Sequence, residues 1–225
     1  MNDAIFDSLE AVIDDDRFPE VDLMLRQGRH IGRDDGAAYD YLVEGQALLE
    51  SFYRRFGSEL IHQSDGYFYL LPSGERLGRR KLSAGEMLVG QALALLYLDP
   101  ATLRHGGIVT REALLQRLSG LLGTDVLVRT LNPRKRKYDE RIAAETVRGK
   151  VDEALRKLGD LGFVDTLDST NLRLRPALMR FAEPVRGLAN LGGALERLVT
   201  HGEVLMGDTD AIEDAGEDND EDGAP

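Results

Sequence analysis

The sequence predicts a mainly α-helical protein with small β-hairpins, an α+β fold in which one order of elements occurs twice. In each half, amphipathic stretches place apolar residues at helical spacing. Each set of these stretches is followed by two short apolar runs with a turn signal between them. Helices followed by a hairpin form the outline of a winged helix-turn-helix. The sequence therefore predicts two tandem winged-helix domains, although the halves share a pattern and no residue-level repeat.

The first half begins with two stretches of helical spacing, AIFDSLEAVID and FPEVDLMLRQGR, and Pro19 suits the first turn of the second. A longer helix follows in AYDYLVEGQALLESFYRRF, with its apolar and aromatic side chains largely on one stripe. In ELIHQSDGYFYLLP, two apolar runs flank Asp65-Gly66, a dipeptide typical of hairpin turns. These elements predict an N-terminal winged-helix domain over residues 1–75.

The second half opens with SAGEMLVGQALALLYL, where Ser83 is the expected N-cap and Glu86 completes a capping box. This helix is apolar nearly all round, so we expect it to be buried. Thr110 is the expected N-cap of the next helix, TREALLQRLSGLL. The insertion TDVLVRTLNPRKRKYDER is predicted to be loop-like around Asn132-Pro133.

A third helix is predicted in RIAAETVRGKVDEALRKLGDLG, and its inward face is formed by Val147, Val151, Ala154, Leu155 and Leu158. A second hairpin, FVDTLDSTNLRLRP, is predicted to turn at residues 168–171. The C-terminal winged-helix domain is therefore predicted over residues 76–187. A helical segment at 188–202 and an acidic, disordered tail at 203–225 complete the expected organisation.

Charge is distributed unevenly along the chain. Residues 203–222 contain ten acids and no lysine or arginine, so the rest of the chain carries −2 of the formal charge of −12. Residues 129–157 contain ten basic and five acidic side chains. A basic block combined with an acidic tail indicates interaction surfaces. The tail has two interpretations, since it could act as an entropic solubilising segment or compete with DNA for basic surfaces.

No motif for enzyme chemistry is present in the sequence. GERLGRRK lacks the Gly-Lys-Ser/Thr ending of a P-loop, and the four histidines fall in separate segments without metal-ligand spacing. We therefore expect no catalytic residues, no metal and no cofactor.

The chain has no cysteine and no apolar run of about 18 residues, and its N-terminus lacks the pattern of a signal peptide. These features predict a cytoplasmic protein without a membrane span.

The basic block is the candidate DNA-binding surface. In a winged helix the third helix commonly lies in or beside the major groove, and the wing contacts the adjacent backbone. The candidate residues are Arg134, Lys135, Arg136, Lys137, Arg141, Arg148 and Lys150, with Arg173 and Arg175 on one face of the wing strand. The residues alone are equally compatible with solvent-exposed charges on an ordinary helix that does not contact DNA. Because no base-reading side chain stands out, non-specific phosphate contacts to double-stranded DNA are the expected mode.

Several long segments resemble the MukE family in register. They are LRQGRHIG, SFYRRFGSELIHQSDGYFYLLP, LSAGEMLVGQALALLYLDPATLRHGGIVTREAL, ALRKLGDLGFV and LRLRPALMRFAEPVRG, and the acidic C-terminus is also similar. The resemblance runs from about Phe18 to Gly187. It implies a non-catalytic, kleisin-interacting tandem winged-helix subunit of the MukBEF bacterial condensin, acting in chromosome condensation and segregation and associated with the nucleoid. The implied partners are the kleisin MukF, the SMC ATPase MukB, DNA and a second copy of the chain.

The resemblance also suggests partner-binding residues in the first half. The longer helix of this half and its flanks contain more aromatic side chains than the core of a small domain needs, although all five could be core. These residues are Tyr39, Tyr41, Phe52, Tyr53 and Phe56. Arg26, Arg29 and His30 could bind an acidic segment of a partner, or cap and solvate a helix end. An alternative function for the whole chain is a stand-alone, dimeric winged-helix transcription regulator.

Overall fold

The computed structural model describes residues 6–73, 81–131 and 140–182, together with the side chains of most of them. Two antiparallel three-stranded sheets are present in this part, with strand orders β1-β3-β2 and β4-β6-β5. The elements of the first half are α1 (Leu9–Ile13), α2 (Phe18–Arg26), β1 (Ile31–Gly32), a 3₁₀ turn (Arg33–Asp35), α3 (Ala37–Arg55), β2 (Ser58–Gln63) and β3 (Tyr67–Pro72). Those of the second half are α4 (Ala84–Leu98), α5 (Pro100–Arg104), β4 (Ile108–Thr110), α6 (Arg111–Leu131), α7 (Glu140–Asp160), β5 (Val164–Thr166), β6 (Asn171–Leu174), a 3₁₀ turn (Pro176–Leu178) and α8 (Met179–Ala182).

The first three-stranded sheet and the helices before it form the first module. Ser8 caps α1 by accepting a hydrogen bond from the Ala11 N–H at 3.2 Å. The predicted hairpin is formed by β2 and β3, and Gly66 in its turn has a φ of +84°, a conformation that favours glycine. The core of this module includes Val12, Leu25, Leu42, Leu49 and Phe68.

The second module contains the caps that the sequence predicts. Ser83 accepts a hydrogen bond from the Glu86 N–H, and the Glu86 carboxylate accepts one from the Ser83 N–H at 2.8 Å. Thr110 accepts from the Ala113 N–H at 3.1 Å, and the Asp168 carboxylate accepts from the N–H groups of Thr170 and Asn171 at the predicted turn. The five predicted inward-facing residues of α7 are all buried. The predicted fold class, mainly α with small hairpin wings, is confirmed.

Four elements differ from the prediction. The helix α6 continues to Leu131, nine residues beyond the end of the predicted helix at Leu122, so the first eight residues of the insertion are helical. The residues around Asn132-Pro133 lie outside the described part. Each sheet has an additional short strand, β1 or β4, and α5 is an additional helix capped by Asp99. These elements have two to five residues, too few to show a period in the sequence.

The predicted domain boundary near residue 75 lies outside the described residues, as do the segment 188–202 and the tail 203–225. The described chain up to Ala182 belongs to one compact unit that contains both sheets. Within the described ranges no helix is long and apolar enough to cross a membrane. The same ranges contain no cluster of acidic or histidine side chains placed to hold a metal ion.

Candidate partner and nucleic-acid interfaces

The outer face of α7 carries two of the predicted DNA-binding residues. Arg148 is exposed and lies 3.6 Å from the Glu112 carboxylate of α6, and Lys150 donates to Glu153 at 2.7 Å. Exposed ion pairs of this kind contribute about 0–1 kcal/mol each, so a phosphate group can compete for either cation. Arg134, Lys135, Arg136 and Lys137 lie outside the described residues, and only the helical backbone of Arg141 is described.

The two arginines predicted on the wing strand have different environments. Arg173 is exposed in β6, opposite Ile108 on one side and Asp165 on the other. Arg175 lies just beyond the end of β6 and is 2% exposed. The prediction that both arginines share an exposed strand face is therefore wrong, because the chain leaves the strand at Leu174. In this position Arg175 is not accessible to DNA.

Arg175 instead forms an ion pair between the two modules. Its guanidinium donates to the Asp35 carboxylate of the first module and, at 3.4 Å, to Asp165 of the second. Asp35 also accepts from the Gly32 N–H at 2.8 Å and from Arg29 at 3.3 Å. The predicted partner-binding residue Arg29 is therefore engaged inside the chain, and its remaining exposure is 28% of the side chain.

His30 also lies between the modules, where it is 4% exposed, so the prediction that it binds a partner is wrong. Its backbone N–H donates to the Leu161 carbonyl at 2.8 Å, and its Nδ1 donates to the same oxygen at 2.9 Å. Its Nε2 accepts from the Arg180 guanidinium at 2.8 Å. Burial, helped by the nearby Arg180 and Arg175 charges, lowers the pKa of His30 to about 3. The imidazole is therefore neutral at physiological pH.

The buried His30 predicts a pH dependence of stability. Its pKa is about 3 in the folded chain and about 6.5 in an unfolded one, so the unfolded state binds the additional proton as the pH falls between these values. The stability is complete above about pH 6.5 and declines below it. We expect His30 to reduce the unfolding free energy by about 2 kcal/mol between pH 7.5 and 5.0. Urea denaturation at both pH values measures this loss.

The matched variant for this experiment is His30→Asn, which retains an amide donor near Leu161 and has no titrating group. At pH 7.5 the variant is expected to have a lower unfolding free energy than the unaltered chain. Between pH 7.5 and 5.0 its unfolding free energy is expected to fall by about 2 kcal/mol less than that of the unaltered chain. Equal losses in the two proteins contradict the buried, neutral state of His30.

Two of the predicted partner-binding tyrosines belong to the core. Tyr41 and Tyr53 are both 0% exposed. The Tyr41 hydroxyl donates to the Val12 carbonyl at 2.9 Å, and the Tyr53 hydroxyl donates to the Asp22 carboxylate at 3.1 Å. Burial raises the pKa of both phenols, and the negative charge of Asp22 adds to the rise at Tyr53. The prediction that these two residues contact a partner is therefore wrong, and the alternative interpretation of them as core is correct.

The remaining predicted residues form a small exposed surface where α2 meets the end of α3. Arg26 donates to the Asp22 carboxylate at 2.8 Å, and its guanidinium lies 5.2 Å from the centre of the Phe56 ring. Phe56 is 44% exposed and contacts Phe52 at a ring distance of 5.0 Å. Leu23, one turn before Arg26, is 56% exposed. This arginine–aromatic surface, formed by Leu23, Arg26, Phe52 and Phe56, combines apolar area with one paired cation, a composition found at protein interfaces.

Comparison of the sequence with known proteins assigns the chain to a family. The family described as "Condensin complex protein MksE" matches residues 16–186, a range that contains α2 to α8 and both sheets. The chain belongs to this condensin family. "Chromosome partition protein MukE" of Pasteurella multocida (strain Pm70) is 36% identical over 216 residues, covering 95% of this chain and 88% of that protein. The MukE proteins of Yersinia pestis and Vibrio cholerae are 37% and 35% identical over 84% and 89% of this chain. These matches cover 81% of the length of the Yersinia pestis protein and 87% of the length of the Vibrio cholerae protein.

The family resemblance drawn from the sequence segments is therefore confirmed. In this condensin family member, three predicted site residues, His30, Tyr41 and Tyr53, are buried inside the described unit. A fourth, Arg175, joins the two modules through Asp35. Among the described residues, the predicted ones with exposed side chains are Phe56, Arg148 and Arg173, and the Lys150 side chain is 38% exposed.

Sequence reasoning missed two residues, Leu71 and Arg180, that line a groove between the two modules. Leu71 lies near the end of the apolar run YFYLLP, and the alternation of strand side chains places it on the face opposite Leu70. This alternation does not account for the 42% exposure of Leu71, because Tyr67 and Tyr69 on the same face are buried. Arg180 gives no signal of its own, because one arginine in a short helix is compatible with any environment.

Proposed function

We propose that this chain is a non-catalytic accessory subunit of a MukBEF-type condensin complex that acts in chromosome condensation and segregation. The observation that carries the proposal is the family match over residues 16–186, together with relatives named as chromosome partition proteins over most of their length. In this role the chain binds the kleisin MukF and, through it, the ATPase MukB. It works in the cytoplasm, at the nucleoid.

The direct test is reconstitution with the kleisin subunit encoded in the same genome. Size-exclusion chromatography with light scattering is expected to give a stable complex of the two purified proteins. The light-scattering mass of the chain alone tests the proposed homodimer, for which the arginine–aromatic surface is a candidate contact because Leu23 and Phe56 are half exposed. Failure of the two proteins to associate at micromolar concentration contradicts the proposed function.

Double-stranded DNA is the third proposed ligand, bound through phosphate contacts from the basic block. Charge reversal of Lys135, Lys137, Arg148 and Lys150 to glutamate is expected to weaken binding and leave the fold intact. Each phosphate contact contributes about 0.9 to the slope of log affinity against log salt, so the loss of four lowers that slope by about 3–4. Fluorescence anisotropy with a labelled duplex over a salt series measures both effects.

A matched control carries the same change of net charge elsewhere. Arg33, Arg54, Arg55 and Arg104 are exposed and lie outside the basic block, so their reversal to glutamate tests general repulsion of DNA. The proposal requires a larger loss of affinity for the basic-block variant than for this control. Equal affinities, with both variants folded by circular dichroism, exclude the basic block as the DNA surface.

The same assay separates the condensin role from a stand-alone transcription regulator. A regulator binds its operator typically 10³–10⁷-fold more tightly than other DNA. A condensin subunit is expected to bind unrelated duplexes with similar, modest affinity and to bind more tightly when the kleisin is present. Selection from a random-sequence DNA pool decides between the two, since only a regulator enriches a palindromic site.

A further inference from the structure

A cluster of polar contacts, which we call the latch, joins the two modules. Its members are Arg29, His30, Asp35, Leu161, Arg175 and Arg180. Within the described ranges, the principal contacts among helices and strands lie inside one module or the other. The latch therefore lies between two separately packed bodies, and such bodies move relative to one another unless a large apolar interface holds them.

Each module has an apolar core of its own. Leu42 and Leu49 of the first module are fully buried, as are Leu93 and Leu114 of the second. Burial of apolar area is the main driving force of folding, so each module keeps this force when the latch opens. In the polar latch, the desolvation of the buried charges offsets most of their attraction. Opening the latch therefore costs less free energy than unfolding either module.

His30 is the latch residue that can respond to pH near neutrality. Its Nδ1 donates to the Leu161 carbonyl, and its Nε2 accepts from the Arg180 guanidinium at 2.8 Å. A proton on Nε2 removes the lone pair that accepts this bond and places a second cation directly against the guanidinium. The closed latch therefore disfavours the protonated ring.

The neighbouring groups do not compensate an additional positive charge on the ring. The charged side chains of the network around it are Arg29, Asp35, Asp165, Arg175 and Arg180. Both carboxylates already pair with Arg175, so the three guanidinium groups leave an excess of positive charge. Tyr67 and Tyr69 also pack against the imidazole, at ring distances of 5.9 and 5.3 Å, and phenol groups add no negative charge at or below neutral pH.

We propose that the latch is a pH-sensitive conformational switch, in which protonation of His30 opens the latch and the two modules separate while each stays folded. Opening exposes Arg175 and Asp35, the ion pair that spans the modules, to solvent. The switch does not depend on the proposed function, because it rests on contacts within this chain.

The direction of the response follows from the two proton affinities of His30. In the closed form its pKa is about 3, and in the open form the solvated ring has the ordinary pKa of about 6.5. The open form therefore binds the proton first as the pH falls, so the closed form is fully favoured above about pH 6.5 and becomes less favoured below it. The ratio of open to closed molecules is expected to rise about 30-fold between pH 7.5 and 5.0.

Amide hydrogen exchange measured by NMR on the full chain tests the switch. The His30 N–H donates to the Leu161 carbonyl across the latch, so it exchanges when the latch opens. The amides of Leu49 in α3 and Leu155 in α7 lie in the two cores and exchange on unfolding. We expect the His30 amide to be at least tenfold less protected than both core amides, relative to the intrinsic exchange rate. Its protection is expected to fall about 30-fold between pH 7.5 and 5.0.

Three variants assign this response to the latch. His30→Asn removes the titrating group, so protection of the amide at position 30 is expected to change by less than about threefold over the same pH range. His62→Asn is the matched control, because His62 is exposed on β2 outside the latch, and this variant is expected to keep the full response. Arg180→Gln retains a donor for Nε2 without the charge, so it is expected to show a smaller response than the unaltered chain, whether or not His30→Asn folds.

A His30 amide that is as protected as the two core amides overturns the proposal, because the latch then opens only when the chain unfolds. A response that keeps its full size in Arg180→Gln, or that disappears in His62→Asn, also overturns it.

Discussion

Replacement of Gly162 by alanine is expected to lower the unfolding free energy by about 2–5 kcal/mol. Gly162 has a φ of +78°, a left-handed conformation that costs an alanine about 1–2 kcal/mol. An added Cβ lies 2.2 Å from the carbonyl oxygen of His30, which is a backbone atom of the other module. Relieving this overlap requires the two modules to move apart at the His30–Leu161 hydrogen bonds, and overpacking of this kind costs about 1–3 kcal/mol more. Chemical denaturation measures the loss.

Two other glycines separate the contributions. Gly106 also has a positive φ, +66°, but an added Cβ meets nothing within 4 Å, so Gly106→Ala is expected to cost only the backbone term of about 1–2 kcal/mol. Gly149 lies in α7 with open space around it, and Gly149→Ala is expected to stabilise the chain by about 0.5–1 kcal/mol. If Gly162→Ala costs no more than Gly106→Ala, the close approach of the two modules at His30 is contradicted.

Arg175→Ala is expected to destabilise the chain by about 3–5 kcal/mol, the range for breaking a buried ion pair by removing one partner. The substitution leaves the Asp35 carboxylate, whose side chain is 14% exposed, without its buried cation. Asp35 retains the Gly32 N–H and the more distant Arg29, neither of which replaces a buried guanidinium. Thermal and urea unfolding both report the loss.

Arg173→Ala is the control for this substitution, because Arg173 lies two residues earlier and is exposed. Its effect is expected to stay within about 0.5 kcal/mol, as for most surface substitutions. A double-mutant cycle of Arg175→Ala with Asp35→Asn is expected to give a coupling energy of about 0.5–3 kcal/mol, the range for residues in one network. Equal effects of Arg173→Ala and Arg175→Ala contradict the buried pair.

Features that depend on neighbouring residues were predictable from the sequence. The capping box of Ser83 and Glu86 and the Asp168 turn join residues only three positions apart. The inward face of α7 follows from helical periodicity, because side chains three and four positions apart share a face. The winged-helix outline and the family resemblance rest on features of the same local kind, and both are confirmed.

Prediction of the site was less successful, for a physical reason. The side chains of Arg173 and Arg175 cannot be distinguished by residue type, and both fit a basic wing. The exposure of each depends on whether an acid from a distant segment lies against it, and Asp35 is 140 residues away from Arg175. In the same way His30 resembles a surface residue of RQGRHIG until Leu161, 131 residues later, covers it.

The sequence by itself determined the type and order of the longer helices, the two hairpins, their caps and turns, and the family of the chain. These depend on interactions within a few positions, which one stretch of residues contains completely. The tertiary structure alone decided which cations face solvent and which join the modules, and it formed the groove between the modules that Arg180 lines. Burial and ion pairing at these positions arise from residues far apart in the chain, so no local pattern encodes them.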